Sequence, residues 1–174
     1  GDTEIIDTMI KDGLWDAFHG YHMGITAENV ANKFQVTRDS QDKFALNSQQ
    51  KALKAQLNGK FNNEIINIKV KSRNSEIDFY KDEHPREGIS LETLARLKPA
   101  FQKNGTVTAG NASGINDGAA AVTMMSAEEA EKRKLKKLVS IKSWASCGVE
   151  PSLMGTGPIP SSKKALNLAG WSIK

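Results

Sequence analysis

The sequence predicts an α/β protein. Two observations carry this: stretches with the 3.6-residue spacing of a helix alternate along the chain with stretches of strand character, and glycine- or Asx-rich turns separate them. A third is the run at residues 119–125, apolar throughout without alternation, as in a strand buried on both faces.

Taken in order, residues 1–11 form an acidic amphipathic segment without the features of a signal peptide. Ala27, Val30, Ala31 and Phe34 recur at i, i+3, i+4, i+7, predicting a short helix after His22-Met23-Gly24, with Thr26 as N-cap. A second helix is expected after Thr37, with Asp39 and Asp42 complementing the positive end of its dipole and Gly59 stopping it. Its inner side carries Phe44, Ala45, Ser48 and Ala52. Ile66, Ile68 and Val70 then alternate with Asn67, Lys69 and Lys71, which predicts a half-buried strand. A turn at residues 72–75 and a returning strand with Ile77 and Phe79 complete a hairpin. Residues 81–88 read as loop. Ser90 opens an amphipathic run with Leu91, Leu94 and Leu97 on one stripe, ended by Lys98-Pro99. Residues 110–118 are a glycine- and Asx-rich loop. After the apolar run, Ser126-Ala127-Glu128-Glu129 reads as a capping box opening a basic helix. Residues 139–145 predict another interior strand, and Pro160-Ser161 a last helix closed by Gly170.

The composition narrows the function classes. In 174 residues, 39% hydrophobic content is that of a globular chain, and no stretch nears the roughly 20 apolar residues needed to cross a bilayer. A single cysteine, Cys147, excludes an intramolecular disulfide framework and a multi-cysteine metal site, and fits a reducing compartment. The net charge of +4 admits an anionic partner, but Lys and Arg are spread among Asp and Glu on helices. The basic run Lys132-Arg133-Lys134 with Lys136-Lys137 lacks interleaved aromatics and reads as a solvated helix face rather than a nucleic-acid patch. The chain opens on Gly1, not methionine, so both natural termini are expected to lie outside it.

Three segments carry a resemblance: HMGITAENVA at residues 22–31, TVTAGNASGINDGAAA at 106–121, and SWASCGVEPSLMGTGPIP at 143–160. In order and spacing they resemble the thiolase family, most closely its acetoacetyl-CoA type, over nearly the whole chain. The resemblance implies a thiolase-like layered fold, of which this chain is an internal piece: residues 1–115 a CoA-binding loop domain, 116–137 the last strand and helix of the N-terminal domain, and 138–174 the start of the C-terminal domain. It implies an acyltransferase that condenses two acetyl-CoA into acetoacetyl-CoA and CoA, or runs the reverse, through a covalent acyl-cysteine. The family needs neither metal nor redox cofactor; CoA thioesters are its substrates. The nucleophilic cysteine, the activating histidine and the second, proton-exchanging cysteine all align outside this chain, so no catalytic residue is expected within it and the chain alone is expected to be inactive. A homotetramer in lipid metabolism is implied, without nucleic acid or membrane partner, in the cytoplasm or alternatively the mitochondrion. A degradative 3-ketoacyl-CoA thiolase and a non-catalytic CoA-binding module are the alternatives.

By the same resemblance, His22 and Met23 lie along the pantetheine arm, where imidazole and thioether suit an extended, partly apolar ligand. Their residue types alone equally fit packing before a helix. Ser113, with Ala109 nearby, matches the pantetheine loop, where small residues let backbone approach the ligand; a tight turn wants the same residues. Phe101 and Met154 match apolar positions around the CoA channel, and simple core would explain each. Arg86 matches an arginine at the adenine and ribose end, where a guanidinium stacks on a base and binds phosphate; the alternative is an exposed surface arginine. Thr93 stands where the related enzymes often carry serine, and Gln49 matches a weaker contact on the second helix. Cys147 is expected to be a buried small hydrophobe, not a nucleophile.

Overall fold

The computed structural model describes residues 1–73 and 75–173. A π-helical turn at Met9–Gly13 leads into a two-stranded hairpin, β1 (Trp15–Asp16) and β2 (Tyr21–His22), in which Trp15 pairs with His22. Helix α1 (Met23–Lys33) follows directly, and α2 (Arg38–Leu57) after a short bend. Both begin at a side-chain cap that satisfies one of the free N–H groups of a helix start. His22 Nδ1 accepts from Gly24 N–H at 2.9 Å, and Thr37 Oγ1 from Ser40 N–H at 3.2 Å. The start of α1 corrects the expectation: Thr26 lies inside the helix with its hydroxyl donating back to the Met23 carbonyl. An imidazole nitrogen does the capping, a residue type outside the usual Ser, Thr, Asp and Asn.

The inner faces of these helices also differ from the apolar spacing. On α1, Gly24, Glu28 and Ala31 are buried on one side and Thr26 on the other, while Ala27 and Phe34 are exposed. On α2 the buried residue is Asp42; Ala45 and Ala52 are half-buried, but Phe44 and Ser48 face solvent. Polar anchors set these faces, and hydrophobic periodicity does not register them. Helix α2 ends as expected, with Asn58 at the C-cap and Gly59 at φ +65°.

Strands β3 (Ile68–Ser72) and β4 (Ser75–Phe79) form the expected hairpin. Ile68 faces Phe79 and Val70 faces Ile77 on one side; Lys69 faces Asp78 and Lys71 faces Glu76 on the other. The expected half-burial is not found: the four apolar side chains are 45–59% exposed, because the ladder runs only between the two strands themselves and this face is left open. Of the turn at residues 72–75, Asn74 lies outside the described residues.

Helix α3 (Leu91–Ala95) carries a reciprocal cap: Ser90 Oγ accepts from Thr93 N–H while Thr93 Oγ1 accepts from Ser90 N–H. It ends before Lys98-Pro99, and its stripe reduces to Leu94, 1% exposed, with Leu91 and Leu97 at its margin. Helix α4 (Ala127–Lys132) has only half of the expected box, since the Ser126 hydroxyl accepts from Glu129 N–H but the Glu129 carboxylate pairs with Arg133.

Among the described residues, the two expected interior strands form no ladder within this chain; by the family resemblance their partners are expected outside it. Nothing pairs with 119–125 or 139–145, and a strand without a ladder is only an uncovered segment; Val122, Met124, Val139 and Trp144 are all exposed. Over residues 142–150 burial still alternates with period two. Ser143, Ala145, Cys147 and Val149 are half-buried and their neighbours exposed, and Ser143 Oγ donates to the Ala165 carbonyl at 2.6 Å. Cys147 is therefore half-buried, not interior, because this segment is covered on one face only. A 3₁₀ helix at Pro151–Thr156, not foreseen, precedes α5 (Pro158–Ala169), which starts two residues earlier than expected with Pro158 in its first turn and ends at Gly170 with φ +70°. No helix among the described residues is long and apolar enough to cross a membrane.

Candidate functional site

The glycine-rich loop is held by two buried carboxylates. Glu28, 5% exposed on α1, accepts from Thr106 N–H at 2.7 and 2.9 Å, from the Thr106 hydroxyl at 2.8 Å and from Val107 N–H at 2.8 Å. A Cβ on Gly105 would stand 2.3 Å from Glu28 Oε1, so the backbone can approach the carboxylate only because that position is glycine. On α2, Asp42 accepts from Arg38 Nε at 2.8 Å and from Asn111 Nδ2 at 2.9 Å, and Asn111 also donates to the Thr106 carbonyl. Arg38 continues to the Leu94 and Leu97 carbonyls of α3 and the residues after it. Gly110 lies against Leu94 and Leu97, where a Cβ would come within 2.5 Å of each. Three helices thus share one loop: α1 and α2 hold it through carboxylate acceptors, which make stronger hydrogen bonds than neutral ones, and α3 packs Leu94 against Gly110.

Of the nine predicted contact residues, three gather at the start of α1. The His22 ring stacks on Phe101 with centroids 4.7 Å apart and planes 22° from parallel. Met23 is the first residue of the helix. Phe101 sits in the turn that the Ala100 N–H to Val107 carbonyl bond closes, with its ring across Gly24. Gln49 and Arg86 meet directly: Gln49 Oε1 accepts from Arg86 N–H at 2.9 Å, which ties the 81–88 loop to α2. Thr93 spends its hydroxyl on the α3 cap, bringing it to Ser90. Ala109 and Ser113 are exposed on the glycine-rich loop, and Gly114, next to Ser113, lies against the His84 ring. Met154, about half exposed, is on the 3₁₀ helix that covers the opposite side of α1, where Asn29 Nδ2 donates to the Ser152 carbonyl at 3.2 Å. A groove of about 340 Å³ between α1, Thr37 and residues 102–106 is lined by none of the nine. His22, Met23, Gln49 and Phe101 are half-buried, and the other five are exposed.

Residues that hold this surface were not singled out by sequence reasoning. Glu28 and Asn29 stand inside the first matched motif, and Asn111 inside the second, so their position there was the available signal. Asp42 was read only as a helix-dipole residue. At the β1–β2 turn, Asp16 is 3% exposed; its carboxylate accepts from Phe18 N–H and pairs with His19 Nδ1 at 2.8 Å. Burial by itself raises this carboxyl, but the hydrogen bonds from His19 and from the Phe18 and His19 N–H groups outweigh it, so it titrates below its ordinary value. Among the described residues no group of His, Cys, Asp or Glu is arranged to hold a metal ion.

Known proteins share this sequence and arrangement. Residues 1–128 match the family model described as the thiolase N-terminal domain. The acetyl-CoA acetyltransferase of Rhizobium meliloti (strain 1021) is 59% identical over 173 residues, covering 99% of this chain and 44% of the relative. The crystal structure of the Bacillus anthracis acetyl-CoA acetyltransferase superposes with a TM-score of 0.87 at 46% identity, over 99% of this chain and 44% of that one. Human mitochondrial 3-ketoacyl-CoA thiolase gives a TM-score of 0.87 at 41% identity, over 99% and 43%. The chain thus spans less than half the length of the relatives it matches. With a family model covering most of its residues and this agreement in fold, the chain belongs to the thiolase family.

Proposed function

We propose that this chain is the CoA-contacting portion of a thiolase of the acetyl-CoA acetyltransferase type. One observation carries the reading. The two motifs that match the family's pantetheine-facing segments, His22-Met23 and the loop bearing Ala109 and Ser113, are tied to one another through Glu28, so both are presented from a single rigid support. In the complete enzyme, a cysteine thiolate takes the acetyl group of one acetyl-CoA, and the departing CoA leaves as a thiol with a proton from a second cysteine. That second cysteine, now a thiolate, takes an α-proton from another acetyl-CoA, whose carbanion attacks the acyl-cysteine carbonyl. The new C–C bond yields acetoacetyl-CoA and returns the thiolate. Those cysteines and the activating histidine belong to family motifs that align outside this chain. Its own part is to hold the CoA arm: His22, Met23 and Phe101 along the pantetheine near the acyl group, Ser113 and Ala109 beside it, Gln49, Thr93 and Arg86 toward the nucleotide, and Met154 at the channel wall.

The domain division at 1–115, 116–137 and 138–174, a homotetrameric assembly and a cytoplasmic location belong to the same proposal. The test is steady-state kinetics of the complete enzyme with acetoacetyl-CoA and CoA. Arg86→Ala removes an exposed contact made equally in ground and transition states; at about 1 kcal/mol, KM rises about fivefold with kcat nearly unchanged. His22→Ala disturbs alignment beside the acyl group, and kcat falls together with kcat/KM. A collapse of kcat in Arg86→Ala at constant KM would mean the ligand runs the other way. The equal structural agreement with a 3-ketoacyl-CoA thiolase supports the degradative reading as the second one. Turnover of 3-ketoacyl-CoA substrates of increasing chain length separates the two.

A further inference from the structure

The 81–88 loop is fixed along its backbone while two of its side chains stay free. Lys81 and Glu87 pair across its base at 3.6 Å, Asp82 Oδ1 accepts from His84 N–H at 2.9 Å, Gln56 Nε2 donates to the Asp82 carbonyl at 3.1 Å, and Gln49 takes Arg86 N–H. Among the described residues, neither the Arg86 guanidinium nor the His84 ring makes a hydrogen bond or ion pair, and both are exposed. The His84 ring packs against Gly114. A Cβ built on Gly114 would stand 3.0 Å from its Cε1 and 3.3 Å from its Nδ1, so the imidazole rests on the backbone of the glycine-rich loop beside Ser113.

From this placement we propose that His84 is a substrate contact that, with Arg86, recognises the nucleotide phosphates of a CoA thioester and joins that end of the site to the pantetheine loop. The inference rests on the orientation of CoA proposed above. An imidazole offers an N–H donor and a flat face, and beside a guanidinium it adds a second donor to anionic oxygens, which a thioester lacking the nucleotide cannot use.

The experiment compares acetoacetyl-CoA with acetoacetyl-pantetheine, which carries no nucleotide, as thiolysis substrates of the complete enzyme in wild-type, Arg86→Ala, His84→Ala and His84→Gln forms. In His84→Ala, KM for acetoacetyl-CoA is expected to rise about three- to tenfold, the scale of one hydrogen bond to a charged group at an open site, with kcat within about twofold. KM for the pantetheine thioester should stay unchanged. His84→Gln, which retains a donor, should recover part of the loss. An equal KM rise for both substrates overturns the proposal and makes His84 a spacer under Gly114, as does no rise for either. If Arg86→Ala raises KM for the CoA thioester and His84→Ala does not, this inference alone fails. If Arg86→Ala also leaves both values unchanged, the orientation of CoA fails and takes the inference with it.

Discussion

Replacing Glu28 by alanine should loosen the glycine-rich loop more than any single apolar deletion beside it. The carboxylate is 5% exposed and receives two backbone N–H groups, from Thr106 and Val107, and one hydroxyl. Alanine leaves both N–H groups without a partner, at about 1–3 kcal/mol each, while the Thr106 hydroxyl can keep its bond from Gln41 Nε2 at 2.8 Å. With some water entering the space, about 3–4 kcal/mol is expected, a large share of the 5–15 kcal/mol typical of a domain. Glutamine is the informative control. Its carbonyl oxygen can stand where Oε1 does and keep both N–H bonds, while its amide nitrogen donates to Thr106 Oγ1, whose own proton then loses its acceptor, so charge assistance and one hydroxyl bond are lost, about 1–2 kcal/mol. The assay is urea denaturation of the complete enzyme, paired with hydrogen exchange at the Thr106 and Val107 amides. Those two amides should lose protection in Glu28→Ala and largely keep it in Glu28→Gln. Equal damage from both variants, or less than about 1 kcal/mol from alanine, would refute the clamp.

Further outcomes follow from individual contacts. Gly24→Ala puts a Cβ within 2.2–2.4 Å of three Phe101 ring atoms, so the ring must leave His22; about 1–3 kcal/mol of stability should be lost, and a variant that unfolds like wild type in urea would contradict the observed packing. Because the Asp16 carboxyl is held below its ordinary value, the stability that it contributes is present above the usual carboxylate range and is lost as pH falls through its lowered folded value. An acid titration of the Phe18 amide signal should show that loss, and Asp16→Asn should abolish it. The chain expressed alone should show no thiolysis of acetoacetyl-CoA, with Cys147→Ala without effect; turnover that depends on Cys147 would overturn the family assignment of the catalytic groups.

Much of this architecture could be read from residue order, and the exceptions share a cause. Helix α2 was legible because its cap and its stop are local: Thr37 and Gly59 act within one turn of the helix end. The β3–β4 hairpin was legible because its period-two pattern and its register coincide. Helix α1 was misread at its start because a histidine caps it, and its inner face because Glu28 is buried through bonds to residues 78 and 79 positions away. Nothing in local composition reports partners at that distance. For the segments at 119–125 and 139–145, apolar content was correctly seen but strand structure does not follow from it, since a ladder requires a second strand. At the site, the side-chain types of His22, Phe101, Gln49 and Arg86 were legible, while their pairings, His22 with Phe101 and Gln49 with Arg86, belong to tertiary structure.

Helix α1 also has a history imposed by its second face. The bond from Asn29 to the Ser152 carbonyl joins positions 123 residues apart, and the 3₁₀ helix around Ser152 covers the side of α1 on which Thr26 is buried. Closing so long a stretch of chain costs entropy before the contact returns anything, which slows formation of such contacts. During synthesis, at about 5–20 residues per second, that face of the helix waits some 6–25 seconds for its cover to leave the ribosome. This face of α1 would therefore be covered later than the face that Glu28 ties to Thr106, and the nascent chain would spend that interval with α1 half-clad and open to chaperones.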